Sequence, residues 1–358
     1  MDIEVEVRNH VAHVLLNRPA ALNALTFAMI EDLDRILRAT AADGEVRALV
    51  MRGAGDKAFC AGGDVRALYE SRHAGSSLYH DFFVHEYRVD HFLHRFPKPF
   101  VAIADGITMG GGMGLVQGSR LRLVGDRTRI AMPEVGIGLI PDVGASYFLA
   151  RLPGALGTYL ALTGREIGPG DALYAGLADL YLAPEAMARA EQALFDLRWD
   201  GAPRAEVEGA LRSLASPPPP AALAPLRAAV DRHFACTTVE GILASLLDEQ
   251  DPALRPWALE TAQSMHRRSP TMLAVSVRAL QLGRRQGLED CLRMEYTVVQ
   301  HCFEHGDLLE GVRAMIIDKD KRPRWRPPRI EEVEPASVEA FFRERPGATH
   351  PLADLGAN

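Results

Sequence analysis

Lysine and cysteine are both scarce in this 358-residue chain, with four of each. The cysteines (Cys60, Cys236, Cys291 and Cys302) are scattered and form no CxxC pair. That excludes a small disulfide scaffold and points to free thiols in a reducing compartment. No run of about 18 apolar residues is present, and the least charged segment, Gly106 to Ser119, is too short and too rich in glycine to span a bilayer. The N-terminus opens acidic, Met1-Asp2-Ile3-Glu4, without the apolar stretch of a secretory leader, so a cytoplasmic protein is expected. A basic excess is missing too: 40 Lys and Arg against 47 Asp and Glu leave a net charge of −7. That balance argues against a nucleic-acid or anionic-membrane partner. What remains is ordinary for a soluble globular chain, 47% apolar and 24% charged.

Apolar spacing organises the first half. Ile3, Val5 and Val7 alternate with charged residues, Val11 to Leu16 forms a second run, and the Arg8-Asn9-His10 break between them predicts a hairpin. Thr26 is placed to cap a helix to about Ala39, with Met29, Ile30, Leu33, Ile36 and Leu37 on one face. A buried strand follows over Ala48 to Met51, closed by Gly53-Ala54-Gly55. Asp64 suits the start of a helix over Val65 to Glu70. A long helix is expected from Ser77 to Phe96, and a strand from Phe100 to Ala104 runs into Gly110-Gly111-Gly112. Strands recur to about Met132, and helices dominate from Gly144 on. Ser216 followed by Pro217 to Pro220 reads as a stiff extended spacer. These features give an α/β core over residues 1–205 and a mainly helical C-terminal region over 206–358, with a polar tail from about 328.

The glycine clusters do not bind nucleotides by either familiar pattern. In Gly112-Met113-Gly114-Leu115-Val116-Gln117 the third glycine of the dinucleotide fingerprint is Gln117, and none of the four lysines follows a glycine as a P-loop requires. Three successive glycines between a strand and an apolar helix instead offer backbone N–H groups to a developing anion.

Two such turns follow strands: Phe59-Cys60-Ala61-Gly62-Gly63-Asp64 and Ile107-Thr108-Met109-Gly110-Gly111-Gly112. Downstream come Met132-Pro133-Glu134 and Pro141-Asp142-Val143-Gly144; upstream, Leu16-Asn17-Arg18-Pro19 and Leu22-Asn23-Ala24-Leu25. In this order the sequence resembles the crotonase (enoyl-CoA hydratase/isomerase) superfamily, and within it the 3-hydroxyisobutyryl-CoA hydrolase branch. The tail segments Glu310-Gly311-Val312-Arg313-Ala314, Ile317-Asp318-Lys319-Asp320 and Pro323-Arg324-Trp325 extend the match. The resemblance implies a ββα spiral core and an acyl-CoA substrate, with coenzyme A as part of that substrate, no separate cofactor and no metal. It also implies a homo-oligomer, whose form the long C-terminal region leaves open.

The resemblance carries over residue by residue. The N–H groups of Gly63 and Gly111 match the oxyanion hole that binds the thioester oxygen, where one preorganised donor is typically worth roughly 3–4 kcal/mol in the transition state. Crotonase hydratases carry two glutamates beyond the second turn. The first position is Gly114 here and the second is Glu134, which argues against a two-carboxylate water-adding site. Asp142 lies where the hydrolase branch carries an aspartate, and Glu86 matches a substrate-contacting glutamate of that branch. Ala21 and Ala61 match backbone contacts to coenzyme A, and Lys57 and Arg18 are candidate phosphate contacts. The reading is thioester hydrolysis in valine breakdown, with Glu134 as nucleophile or general base. The alternatives are a hydratase or isomerase, and a non-catalytic acyl-CoA-binding protein.

Bland roles stand beside these. Glu134 fits an ordinary surface or capping carboxylate, and Asp142 fits a cap for a helix over Val143 to Leu152. Asp64 reads as a helix-start carboxylate and Cys60 as a small buried residue, with no His partner at a nucleophile's spacing. His301 and His305 share a helix face without an HExxH pattern or an obvious third ligand.

Overall fold

The structure is a computed structural model that describes residues 1–345, 347 and 349–357. Pro346, Ala348 and Asn358, in the expected polar tail, lie outside the described residues. The chain forms two compact units interleaved along the sequence, where composition suggests a single cut near residue 205. The first unit comprises Met1–Asp64, His85–Ala131 and Glu166–Ala222; the second comprises Val65–Val84, Met132–Arg165 and Leu223–Asn358.

The first unit holds both sheets. Strands β1 (Ile3–Arg8) and β2 (Val11–Leu16) form the expected hairpin. Its two-residue turn places Asn9 and His10 at positive φ, 44° and 64°, the twist that a tight hairpin needs. Next come β3 (Ala48–Gly53), β4 (Ala58–Cys60), β5 (Phe100–Ile103), β6 (Ile107–Met109), β7 (Leu121–Val124), β8 (Arg129–Ala131) and β9 (Leu180–Tyr181). Successive strands go to different sheets. One sheet runs β1-β2-β3-β5-β7-β9, and the other β4-β6-β8. Each strand pair β3-β4, β5-β6 and β7-β8 is one turn of a spiral closed by a helical segment, which is the expected ββα architecture. Among the described residues all strand pairs but β1 against β2 are parallel, and Ile130 of β8 makes one isolated antiparallel bridge with Ile167.

One face of the larger sheet forms a core through Val11, Val50, Val101, Ile103, Leu121, Leu123 and Leu180, packed on Leu194, Trp199, Val207 and Leu211. Helix α1 (Phe27–Ala42) starts as the sequence indicates: Thr26 Oγ1 accepts the Met29 N–H at 3.2 Å, and Met29, Ile30, Leu33, Ile36 and Leu37 are buried. It outlasts the expected end at Ala39 by less than one turn. The proline run is extended but is no free spacer. The Ser216 N–H donates to the Tyr181 carbonyl at 3.0 Å, and a Cβ on Gly170 would collide with the Pro219 carbonyl.

The second unit is helical. It takes in α2 (Val65–His73), the start of α3 (Leu78–His94), α5 (Ala145–Phe148), and the longer helices Arg255–His266, Pro270–Gly283 and Leu288–His305. Helix α4 (Gly111–Gln117) belongs to the first unit. The expected polar tail packs: Leu352 and Leu355 are buried, and Arg293 Nη1 donates to both their carbonyls at 3.3 and 3.1 Å. Trp325 is buried with its indole N–H on the Arg267 carbonyl.

Candidate active site

In the first unit, two glycine turns leave the C-terminal ends of neighbouring parallel strands. Strands β4 and β6 pair through Ala58 with Ile107 and Cys60 with Thr108, so Ala61-Gly62-Gly63 and Gly110-Gly111 emerge side by side. A Cβ built on Gly62 would lie 3.2 Å from the Met109 carbonyl oxygen and 3.4 Å from the Gly111 nitrogen. The residues that need glycine's freedom are the ones before each donor: Gly62 at φ +100° and Gly110 at φ +49°. Gly63 forms a parallel bridge with Leu25, in which Leu25 N–H donates to Gly62 O and Asp64 N–H donates to Leu25 O. That pattern turns the Gly63 N–H to the opposite edge. Among the described residues neither the Gly63 nor the Gly111 N–H donates to an acceptor. Two preorganised donors of this kind can hold a developing oxyanion.

Glu86 lies beside the second turn. It is buried on α3, and a Cβ on Gly111 would collide with its Oε1. One helical turn further along α3, Asp90 is 1% exposed. A Cβ on Gly114 would lie 2.7 and 2.8 Å from its two carboxylate oxygens. The space beside residue 114, where a hydratase carries a glutamate, therefore already holds a carboxyl group delivered by another helix. Sequence reasoning passed over Asp90. Its signal was an acid one turn from Glu86 on the stripe that also carries Phe82, Phe83 and Leu93. Cys60 is buried, and burial together with the Glu86 and Asp90 charges pushes its thiol up to about 12. It is inert, as expected.

The coenzyme A candidates divide. Lys57 is exposed beside the first turn, and Ala21 and Ala61 are half-buried. Arg18 is already engaged: it pairs with Asp64 at 3.0 Å and donates to the Ala24 carbonyl at 2.8 Å. It braces the Asn-Arg-Pro turn instead of standing as an open cation, and Asp64 is its partner.

The second unit carries Glu134 and Asp142. Glu134 opens a short 3-10 turn and is 5% exposed. Its Oε2 is buried without a hydrogen-bond partner among the described residues. Burial, then the charge of Asp142, pushes its pKa well above the ordinary 4.5. A carboxylate so placed is a stronger base than one in water. The C-terminal helices hold its loop. Ser269 N–H donates to the Val135 carbonyl at 3.1 Å, Gly138 at φ +77° lies against the Asp307 backbone, and a Cβ on Gly311 would collide with Ile137. The tail motif around Gly311 thus seats the loop that presents Glu134. Asp307 itself is held by Ser269 Oγ at 2.6 Å and the Arg326 N–H at 3.0 Å.

Asp142 is 4% exposed. The helix expected over Val143 to Leu152 begins later, at Ala145, and Leu149–Arg151 continues it as a 3-10 turn. Glu295, from helix Leu288–His305, caps it. Its carboxylate accepts the Gly144 and Ser146 N–H groups at 2.7 Å each, and the Ser146 hydroxyl at 2.5 Å. Burial drives the pKa of Glu295 up to about 8, against those three donors. Sequence reasoning missed this residue. Its signal was an acid on the apolar stripe Cys291, Leu292, Val298, Val299 and Cys302.

His301, Glu304 and His305 bring ligand atoms within 4.8 Å of one another. Glu304, however, is paired with Arg345, and His301 Nε2 bonds the Arg343 carbonyl at 2.9 Å. These partners compete with any cation.

Comparison with known proteins defines the class first. The enoyl-CoA hydratase/isomerase family matches residues 11–342, and the chain belongs to it. Two curated relatives are more particular. The mitochondrial 3-hydroxyisobutyryl-CoA hydrolase of Rattus norvegicus is 38% identical over 96% of this chain and 89% of its own length. The 3-hydroxyisobutyryl-CoA hydrolase 1 of Arabidopsis thaliana is 36% identical over 94% of this chain and 90% of its own. Two solved structures share the fold throughout. A carnitinyl-CoA dehydratase from Mycobacterium thermoresistibile has a TM-score of 0.89 and 39% identity, covering 97% of both chains. An enoyl-CoA hydratase from Rhodobacter sphaeroides has a TM-score of 0.86 and 38% identity, covering 96% of this chain and 97% of its own.

Proposed function

We propose that this chain hydrolyses 3-hydroxyisobutyryl-CoA, with water, to 3-hydroxyisobutyrate and coenzyme A, a step of valine breakdown. The observation that carries the choice is Gly114. A hydratase needs a second glutamate there, and here the space beside it is taken by the Asp90 carboxyl. The hydratase and dehydratase names of the two solved structures favour the other reading, which that observation opposes. The curated relatives, named as hydrolases, agree with the proposal.

Hydrolysis of a thioester needs a polarised carbonyl, a nucleophile and a departing thiolate. The Gly63 and Gly111 N–H groups take the carbonyl oxygen as it gains charge. Glu134 supplies the nucleophile in one of two ways. Its carboxylate removes a proton from water as that water attacks, or it attacks directly to form an anhydride that water then opens. In both, the thioester C–S bond breaks and coenzyme A leaves as thiol. Asp142 and Glu86 hydrogen-bond the β-hydroxyl of the acyl group and so select a hydroxylated chain, or help position the water. Backbone at Ala21 and Ala61 and the exposed amine of Lys57 receive coenzyme A, whereas Arg18 shapes the turn. No metal or separate cofactor enters this chemistry.

A cytoplasmic location and a homo-oligomer belong to the reading as well. The four free thiols suit a reducing compartment, and no helix among the described residues is long and apolar enough to cross a membrane. The rat relative is named mitochondrial.

A panel of acyl-CoA thioesters with free-thiol detection, run beside a crotonyl-CoA absorbance assay, tests the proposal. Thiol release fastest from 3-hydroxyisobutyryl-CoA, with the crotonyl-CoA absorbance unchanged, is expected. Loss of that absorbance without thiol release would establish a hydratase, and tight binding with no turnover would establish a binding protein.

A further inference from the structure

The turn that presents Asp142 is strained. Val143 is β-branched and 1% exposed, yet it stands at φ +53°, the left-handed region that a branched Cβ disfavours most. Gly144 follows at φ +85°. Such a conformation persists only when its surroundings over-determine it, and it collects where geometry matters to function. The surroundings here come from far along the chain. Glu295, 0% exposed, grips the residues just after the strained one: Gly144 through Oε2, and Ser146 twice through Oε1. Behind the turn, a Cβ on Gly283 would collide with the Ser146 carbonyl, so glycine there lets helix Pro270–Gly283 close on it. A hydrophobic residue of similar size at 295 would fill the same space. The acid is needed for the three donors converging on it.

We infer that Glu295 is a positioning residue for the reaction: by clamping Gly144 and Ser146 it holds Val143 in its left-handed conformation and so fixes where the Asp142 carboxylate stands. The inference rests on the reading of Asp142 as a residue that touches the substrate. Glu295 itself touches the backbone and acts through Asp142.

The test combines Glu295→Gln, Val143→Gly, the double variant and Asp142→Asn, each read by steady-state thiol release from 3-hydroxyisobutyryl-CoA and by a circular-dichroism melt. Glutamine keeps one acceptor oxygen and turns an NH2 toward a donor. A displacement on the order of 1 Å at a reacting centre costs about a hundredfold. Glu295→Gln should therefore lower kcat by about ten- to a hundredfold, with KM within about threefold. Glycine at 143 adopts positive φ without the clamp, so in the Val143→Gly background the same change should cost several-fold less. An ordinary folding role would lower the melting temperature and give no such rescue. Wild-type kcat in Glu295→Gln, or an equal loss in both backgrounds, overturns the inference. If Glu295→Gln alone does not fold, the double variant decides: folded and turning over supports the clamp, while folded and inactive, or unfolded, overturns it. Asp142→Asn separates the two levels. Wild-type kcat there removes Asp142 from the reaction and this inference with it. An impaired Asp142→Asn beside an unimpaired Glu295→Gln overturns the inference alone.

Discussion

Alanine at position 114 should destabilise the protein, against the usual rule for a helix. Gly114 lies inside α4, and replacing an interior helical glycine by alanine ordinarily stabilises by roughly 0.5–1 kcal/mol through backbone entropy. Here the new Cβ would stand 2.7 and 2.8 Å from the Asp90 carboxylate oxygens, closer than real Cβ atoms come to any neighbour. Asp90 is short, buried and fixed on α3, so it has little room to retreat. Overpacking of this kind costs about 1–3 kcal/mol, so the net loss is about 1 kcal/mol at the middle of both ranges and up to about 2.5 kcal/mol at their ends. The clash depends on one side chain, so the sign should reverse in an Asp90→Ala background, where Gly114→Ala regains its ordinary stabilisation. Urea midpoints for the four proteins of this cycle measure it, since a change of midpoint at constant slope reports stability. A Gly114→Ala variant more stable than the parent with Asp90 in place would refute the packing argument. The site at 114 would then have room for the second glutamate of a hydratase pair. The same crowding predicts that Gly114→Glu gains no crotonyl-CoA hydration.

Two further outcomes follow from the carboxylates. In the proposed mechanism Glu134 must be ionised to act, and burial with the Asp142 charge raises its pKa well above 4.5; the acid limb of kcat/KM should thus lie above 4.5, activity falling as pH drops through it. Asp142→Asn should move that limb to lower pH, and an unmoved limb would contradict the coupling. Stability runs the other way: a carboxyl whose folded pKa is raised contributes fully below its unfolded value and loses that contribution as pH rises through the folded one. Glu86→Ala should lower the preference for 3-hydroxyisobutyryl-CoA over isobutyryl-CoA by about ten- to a hundredfold, the worth of one hydrogen bond to a charged group. Equal kcat/KM ratios in variant and parent would remove Glu86 from substrate selection.

What the sequence made legible was local. The Arg8-Asn9-His10 break, the Thr26 cap and the two glycine turns are set by residues within a few positions of each other, and each formed as expected. What stayed hidden depends on partners far apart in sequence. The Glu295 bond to Gly144 spans 151 residues, and nothing near Asp142 announces it. Asp90 meets Gly114 only because two helices pack through glycine, and the proline run reads as a spacer until its carbonyls are found against Gly170. Strand β9, two residues long, is set by its register on β7 more than by its own pattern. The tail motif at Glu310 to Arg313 matched the family, but its part in seating the Glu134 loop needed coordinates.

In the proposed mechanism a single buried carboxylate, Glu134, drives thioester cleavage. Thiol release from 3-hydroxyisobutyryl-CoA by purified Glu134→Gln, compared with the parent at saturating substrate, tests it most directly. Its kcat should fall by about 10²–10⁴, the usual contribution of such a group, with the protein still folded. Near-parental kcat in that variant would contradict it.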